Sequence, residues 1–215
     1  MTGAEPVVVL PAATGPGGEP SAAVAAWAAY GRKVLTPDLT PGPGIVVLED
    51  PGLRVLATVS AAGTEQAVLC GAGYGAMVAL HLGAHFPSRV SALVLTTAAR
   101  LVDRTRRGVA DAVTGLLPVA RVQRLGGRPE RVLELLDQVR TVDHAAFVAR
   151  VQVPALVVVG ERDVANFGPS RRLAALLPRA ELAVVPGAGE GWVAREPAAL
   201  AAVAEEFLGR RERES

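Results

Sequence analysis

The chain is poor in the residues that most often build sites. It has one cysteine, one lysine (Lys33) and three histidines in 215 residues, and its aromatic content is only 4%. A single cysteine, Cys70, excludes an internal disulfide and a zinc centre of several thiolates, and it suits a reducing compartment. A formal net charge of +1 with no long basic run argues against nucleic acid as the main partner. No apolar run approaches the ~18 residues of a membrane span, and no signal-like basic and apolar stretch precedes Pro6. A cytoplasmic protein with no membrane partner is therefore expected.

Half of the residues are hydrophobic, enough for one substantial core. Alanine is abundant and arginine replaces lysine, a bias that fits a GC-rich bacterial genome. Six valine- and leucine-rich segments read as strands: Val7–Leu10, Lys33–Thr36, Ala67–Cys70, Ala92–Thr96, Ala155–Val159 and Leu182–Val185. Helical patterns cover Pro20–Tyr30, Tyr74–His85, Ser170–Leu177 and Pro197–Leu208. Another opens on Asp50 as N-cap with Pro51 behind it and runs to about Ser60. Buried strands alternating with helices predict an α/β fold with a doubly wound parallel sheet, in one domain over residues 1–215. The Pro/Gly-rich stretches Pro11–Pro20 and Thr40–Gly44 read as loops.

The segment Leu69-Cys-Gly-Ala-Gly-Tyr-Gly-Ala76 joins a strand to a helix through glycines 71, 73 and 75. That is the setting of the G-x-S-x-G nucleophile elbow, with Gly73 at the serine position. Leu69–Ala99 resembles the elbow strand, helix and following strand of the α/β-hydrolase family. The resemblance extends to Val34–Leu39, to Pro154–Asp163 as the strand delivering the triad acid, and to Pro186–Pro197 as the loop delivering the histidine. It implies a sheet order 2-1-3-4-5-6 without the family's leading antiparallel strands, and a small helical lid over residues 98–153.

Carried over position by position, the triad acid falls on Asp163 and the histidine on Glu190. Glycine offers no nucleophilic atom, so an acyl-enzyme cannot form in the usual way. The backbone N–H groups of Tyr74 and Ala13 would form the oxyanion donors. Ala12, Trp192, Asn166, Phe167 and the lid residue His144 are pocket candidates. If Glu190 faces Asp163, the two carboxylates would share a proton or gain a cation such as Arg162 or Arg195. The plainer readings are that Gly73 relieves elbow strain, Asp163 caps the next helix, Glu190 faces solvent, and Tyr74 and Trp192 are packing residues. His81 and His85 lack the glutamate of a metalloprotease pattern, and Cys70 ends a buried strand. The sequence Gly71-x-Gly73-x-x-Ala76 matches a dinucleotide fingerprint, but it follows the third strand and has no acid closing the next one. No cofactor or metal is implied.

The lid range carries ten arginines against six acids, a local excess of +4. Such a surface is solvated or receives an acidic partner, for example a carrier protein with a tethered substrate. The expected function is a non-hydrolytic enzyme of cyclase, isomerase or lyase type. It would act on a small, largely apolar molecule in bacterial specialised metabolism, with Glu190 and Asp163 as acid/base. The alternatives are a pseudo-hydrolase that binds a ligand or protein, and a hydrolase using activated water.

Overall fold

The computed structural model describes residues 5–11, 21–39, 49–97 and 148–214. The strands are β1 (Val7–Leu10), β2 (Val34–Leu35), β3 (Ala67–Ala72), β4 (Val90–Thr96), β5 (Ala155–Arg162) and β6 (Ala180–Gly189). The helices are α1 (Ser21–Ala28), α2 (Glu49–Ala61), α3 (Tyr74–His85), α4 (Val164–Leu176), α5 (Trp192–Arg195) and α6 (Pro197–Glu214). The sheet runs β2-β1-β3-β4-β5-β6 with every pairing parallel, the order that the resemblance implies.

Several boundaries differ from the sequence reading: β2 is shorter, and β3 to β6 extend beyond the segments read as strands. Asp50 lies inside α2, which opens at Glu49, so it is not the N-cap. Helix α4 begins at Val164 instead of Ser170, because Asp163 caps it and Pro169 sits within it. Helix α6 continues to Glu214. Most of the expected lid, residues 98–147, lies outside the described residues, as do Ala12, Ala13 and His144. The end of that range belongs to the core: Val148, Val151 and Val153 are buried.

Strand alternation divides the core in two. Val8, Leu10, Leu69, Leu93, Leu95 and Val157 face α2, α3 and α4. Val7, Val9, Val68, Cys70, Val94 and Val158 face α1, α5 and α6, where Trp27, Trp192 and Phe207 fill the space. Burial pushes the Cys70 thiol up to about 12, so it behaves as an apolar core group. At the amino ends of the strands, buried Arg32 holds α6 in place. Its Nε and Nη2 donate to both oxygens of Glu205 at 2.8 and 2.9 Å, and Nη1 donates to Glu212 at 2.9 Å. These bonds raise the Arg32 pKa.

Two glycines set how α3 leaves β3. A Cβ on Gly71 would stand 2.6 Å from the Ala76 Cα, and one on Gly75 would overlap the Leu10 carbonyl. The Gly75 N–H donates to the Pro11 carbonyl at 3.0 Å, so backbone meets backbone there. Gly75→Ala should therefore cost more than about 3 kcal/mol or prevent folding, since a main-chain carbonyl cannot yield as a side chain does. Gly63→Ala meets no atom within 4 Å at φ +75°, and should cost only about 1–2 kcal/mol. Urea unfolding of the two variants checks this contrast.

Candidate functional site

Gly73 stands between β3 and α3 with φ 50° and ψ −116°, a region that side chains rarely enter. Its N–H donates to the Thr96 carbonyl at 3.1 Å and to Thr97 Oγ1 at 2.8 Å. Thr97 itself has φ 55°. A β-branched residue in the left-handed region carries strain of about 1–3 kcal/mol. The hydroxyl bond to Gly73 helps hold that conformation. Thr97 was missed in the sequence, because a threonine gives no signal of positive φ. Tyr74 opens α3, and its N–H therefore has no partner within the helix. Its ring is buried in the α2/α3 core, where burial raises the phenol pKa. The Tyr74 hydroxyl finds no partner among the described residues.

The second corner of the site is made by β5 and β6. The missing Cβ of Gly160 admits the Ala188 carbonyl, and the register shifts there so that Arg162 pairs with Gly189. Asp163 and Glu190 each follow that pair, so the two loops leave adjacent strand ends. Glu161 Oε2 accepts the Gly187 N–H at 2.8 Å, which ties the Glu190 loop to β5. Sequence reading passed over Glu161, which lies inside the quoted Pro154–Asp163 segment.

The two carboxylates have different surroundings. Asp163 is 1% exposed. Its Oδ1 accepts from the Asn166 backbone at 3.2 Å, and the Asn166 side-chain amide donates to Oδ1 at 2.9 Å and Oδ2 at 2.8 Å. Asp163 is thus the N-cap of α4, with both oxygens engaged. Glu190 is exposed. Among the described residues no hydrogen bond joins the two carboxylates, and Arg195 donates to the Glu190 main-chain carbonyl at 2.9 Å, not to its carboxylate.

Of the other candidates, Asn166 is buried and serves Asp163, while Phe167 is half-buried and donates its N–H to the Asp163 carbonyl at 2.8 Å. Trp192 is fully buried in the α1/α6 core, and its Nε1 lacks a partner among the described residues. It packs where a stacking wall was expected. The described residues contain no cluster of three or more metal-ligating side chains. No described helix is long and apolar enough to cross a membrane. Two surface cavities of about 410 and 400 Å³ open at the amino ends of the strands, away from Gly73; Arg179 and Arg211 line one, Lys33 and Gln66 the other.

The Asp163–Asn166 bracket makes a stability prediction. Asn166→Ala removes both side-chain donors from a buried carboxylate and should cost about 2–4 kcal/mol in chemical denaturation. A loss under 1 kcal/mol would mean that water replaces Asn166 freely.

No protein-family model matches the sequence, and no curated protein is significantly similar to it. Solved structures do match. The putative non-heme bromoperoxidase BpoC of Mycobacterium tuberculosis H37Rv superposes with a TM-score of 0.76 at 20% identity, covering 97% of this chain and 93% of that one. NosK from Streptomyces actuosus gives 0.72 at 25% identity, with 94% and 97% covered. A thermophilic esterase from Thermogutta terrifontis gives 0.68 at 20% identity, with 97% and 90% covered. The chain has the α/β-hydrolase fold.

Proposed function

We propose that this protein is a degenerate α/β-hydrolase that binds a small, largely apolar molecule without forming an acyl-enzyme. The observation that carries the reading is Gly73. The elbow keeps its positive φ and close helix packing, yet no side chain projects from it. Asp163 supports the same reading. A triad acid accepts from the imidazole that it orients, whereas the side-chain donor on both Asp163 oxygens here is the Asn166 amide. Glu190, at the histidine position, is exposed. The Tyr74 N–H is the group offered to a ligand oxygen. The arginine excess of residues 98–153 would attract an acidic partner, such as a carrier presenting the molecule.

Purified protein should leave p-nitrophenyl esters at the background rate and should not be labelled on serine by a fluorophosphonate. Some members of a panel of small acyl and aryl compounds should raise its melting temperature and be recovered unchanged. Rapid ester turnover with a labelled serine would overturn the proposal. The esterase name of one neighbour keeps hydrolysis by activated water within reach of the scaffold, and turnover without labelling would point there.

A second reading makes Glu190 the acid/base of a non-hydrolytic reaction. The Arg162–Gly189 register favours it, because it starts the Asp163 and Glu190 loops side by side. Glu190→Gln should then reduce turnover of an identified substrate by about 10²–10⁴ and leave affinity within about tenfold. Unchanged turnover would remove Glu190 from the chemistry.

A further inference from the structure

Helix α3 carries two of the chain's three histidines, His81 and His85, one turn apart on one face. Their ring centroids stand 4.4 Å apart, with the planes tilted by 31°. His81 is half-buried, and its Cδ2 would lie 3.6 Å from a Cβ on Gly52, so the ring rests where α2 has no side chain. His85 is exposed in the last turn. Its Nδ1 lies 3.0 Å from the His81 main-chain carbonyl. A carbonyl can only accept, so Nδ1 carries the proton, and in the neutral imidazole Nε2 keeps its lone pair. A backbone carbonyl that holds one ring N–H is the support that orients the other nitrogen toward a metal ion.

We propose that His81 and His85 chelate a divalent transition-metal ion of the class copper, nickel or zinc. Metal–nitrogen bonds of about 2.0 Å at a cis angle of about 90° place two imidazole centroids about 4.5 Å apart. The separation on α3 already meets that requirement. Imidazole selects these ions over magnesium and calcium, which take oxygen ligands. Water supplies the remaining coordination positions, so no third side chain is needed. The pair closes α3 about 16 Å along the axis from Tyr74, which separates it from the elbow. An ion that spans one helical turn binds folded α3 better than the unfolded chain, and so clamps the helix that the elbow opens.

Thermal unfolding and calorimetric titration with nickel chloride test this. Nickel should raise the melting temperature of the wild type by several degrees and bind as one ion per chain. EDTA should reverse the shift, and magnesium at the same concentration should produce none. His81→Gln and His85→Gln should each weaken nickel binding by at least about tenfold, because a single imidazole cannot chelate. His144→Gln removes the remaining histidine and should leave the affinity within about twofold. Metal-free melting curves check that the variants fold, and the exposed His85 position gives a variant whose folding does not depend on packing. No nickel binding by the wild type would overturn the proposal. So would binding that survives in both His81→Gln and His85→Gln, or binding that is lost in His144→Gln.

Discussion

The candidate site depends on a backbone contact, the seating of Gly75 against the Leu10 carbonyl. There is no room for a Cβ between them, and the Gly75 N–H reaches the Pro11 carbonyl at 3.0 Å. This contact fixes the start of α3 against the end of β1, and Gly71 lets the same turn fold back on Ala76. Together they set where Gly73 stands and where the Tyr74 N–H lies. The three glycines of the turn act differently. Gly71 and Gly75 are required by space, whereas Gly73 is favoured by conformation, at φ 50°. The geometry of the elbow and its chemistry are therefore separable: the two packing glycines preserve the first whatever residue occupies position 73.

The β5–β6 corner is braced in the same local way. Gly160 admits Ala188, Glu161 holds Gly187, and Asp163 closes on Asn166. A buried carboxylate is tolerated only when its oxygens are hydrogen-bonded, and the Asn166 amide meets that demand within a single helical turn. Nothing from the Glu190 loop is needed to satisfy it. Glu190 is exposed, on the neighbouring loop. The corner is stable without any interaction between the two groups that a triad would couple.

Much of the fold was legible in the sequence. The Val/Leu runs marked all six strands, and the strand order followed from the resemblance. The site was less legible, for reasons that individual residues make plain. Asp163 and Asn166 are spaced as N-cap and N3, a readable capping signal, yet the apolar pattern marked the helix only from Ser170 because Pro169 interrupts it. Trp192 read as a crevice aromatic because its loop was assigned before its face was known. One turn of α5 was enough to send it into the α1/α6 core. The backbone of Thr97 left no trace at all, since its conformation is imposed by the Gly73 contact and not by propensity.

The fold does not rest on position 73 itself, and this decides how freely that position can change. Two apolar clusters line the sheet faces, and Arg32 with Glu205 and Glu212 ties α6 to the amino ends of β1 and β2, the opposite end from Gly73. A non-glycine residue at the elbow stores about 1–3 kcal/mol of backbone strain. Glycine at position 73 carries none of that strain and supplies no nucleophilic atom. A side chain at position 73 would carry that strain, and the exposed Glu190 offers it no imidazole. Each step back toward acyl transfer would cost stability before it added chemistry. On the proposed reading, that asymmetry is the physical reason for the hydrolase frame to stand without acyl-transfer chemistry.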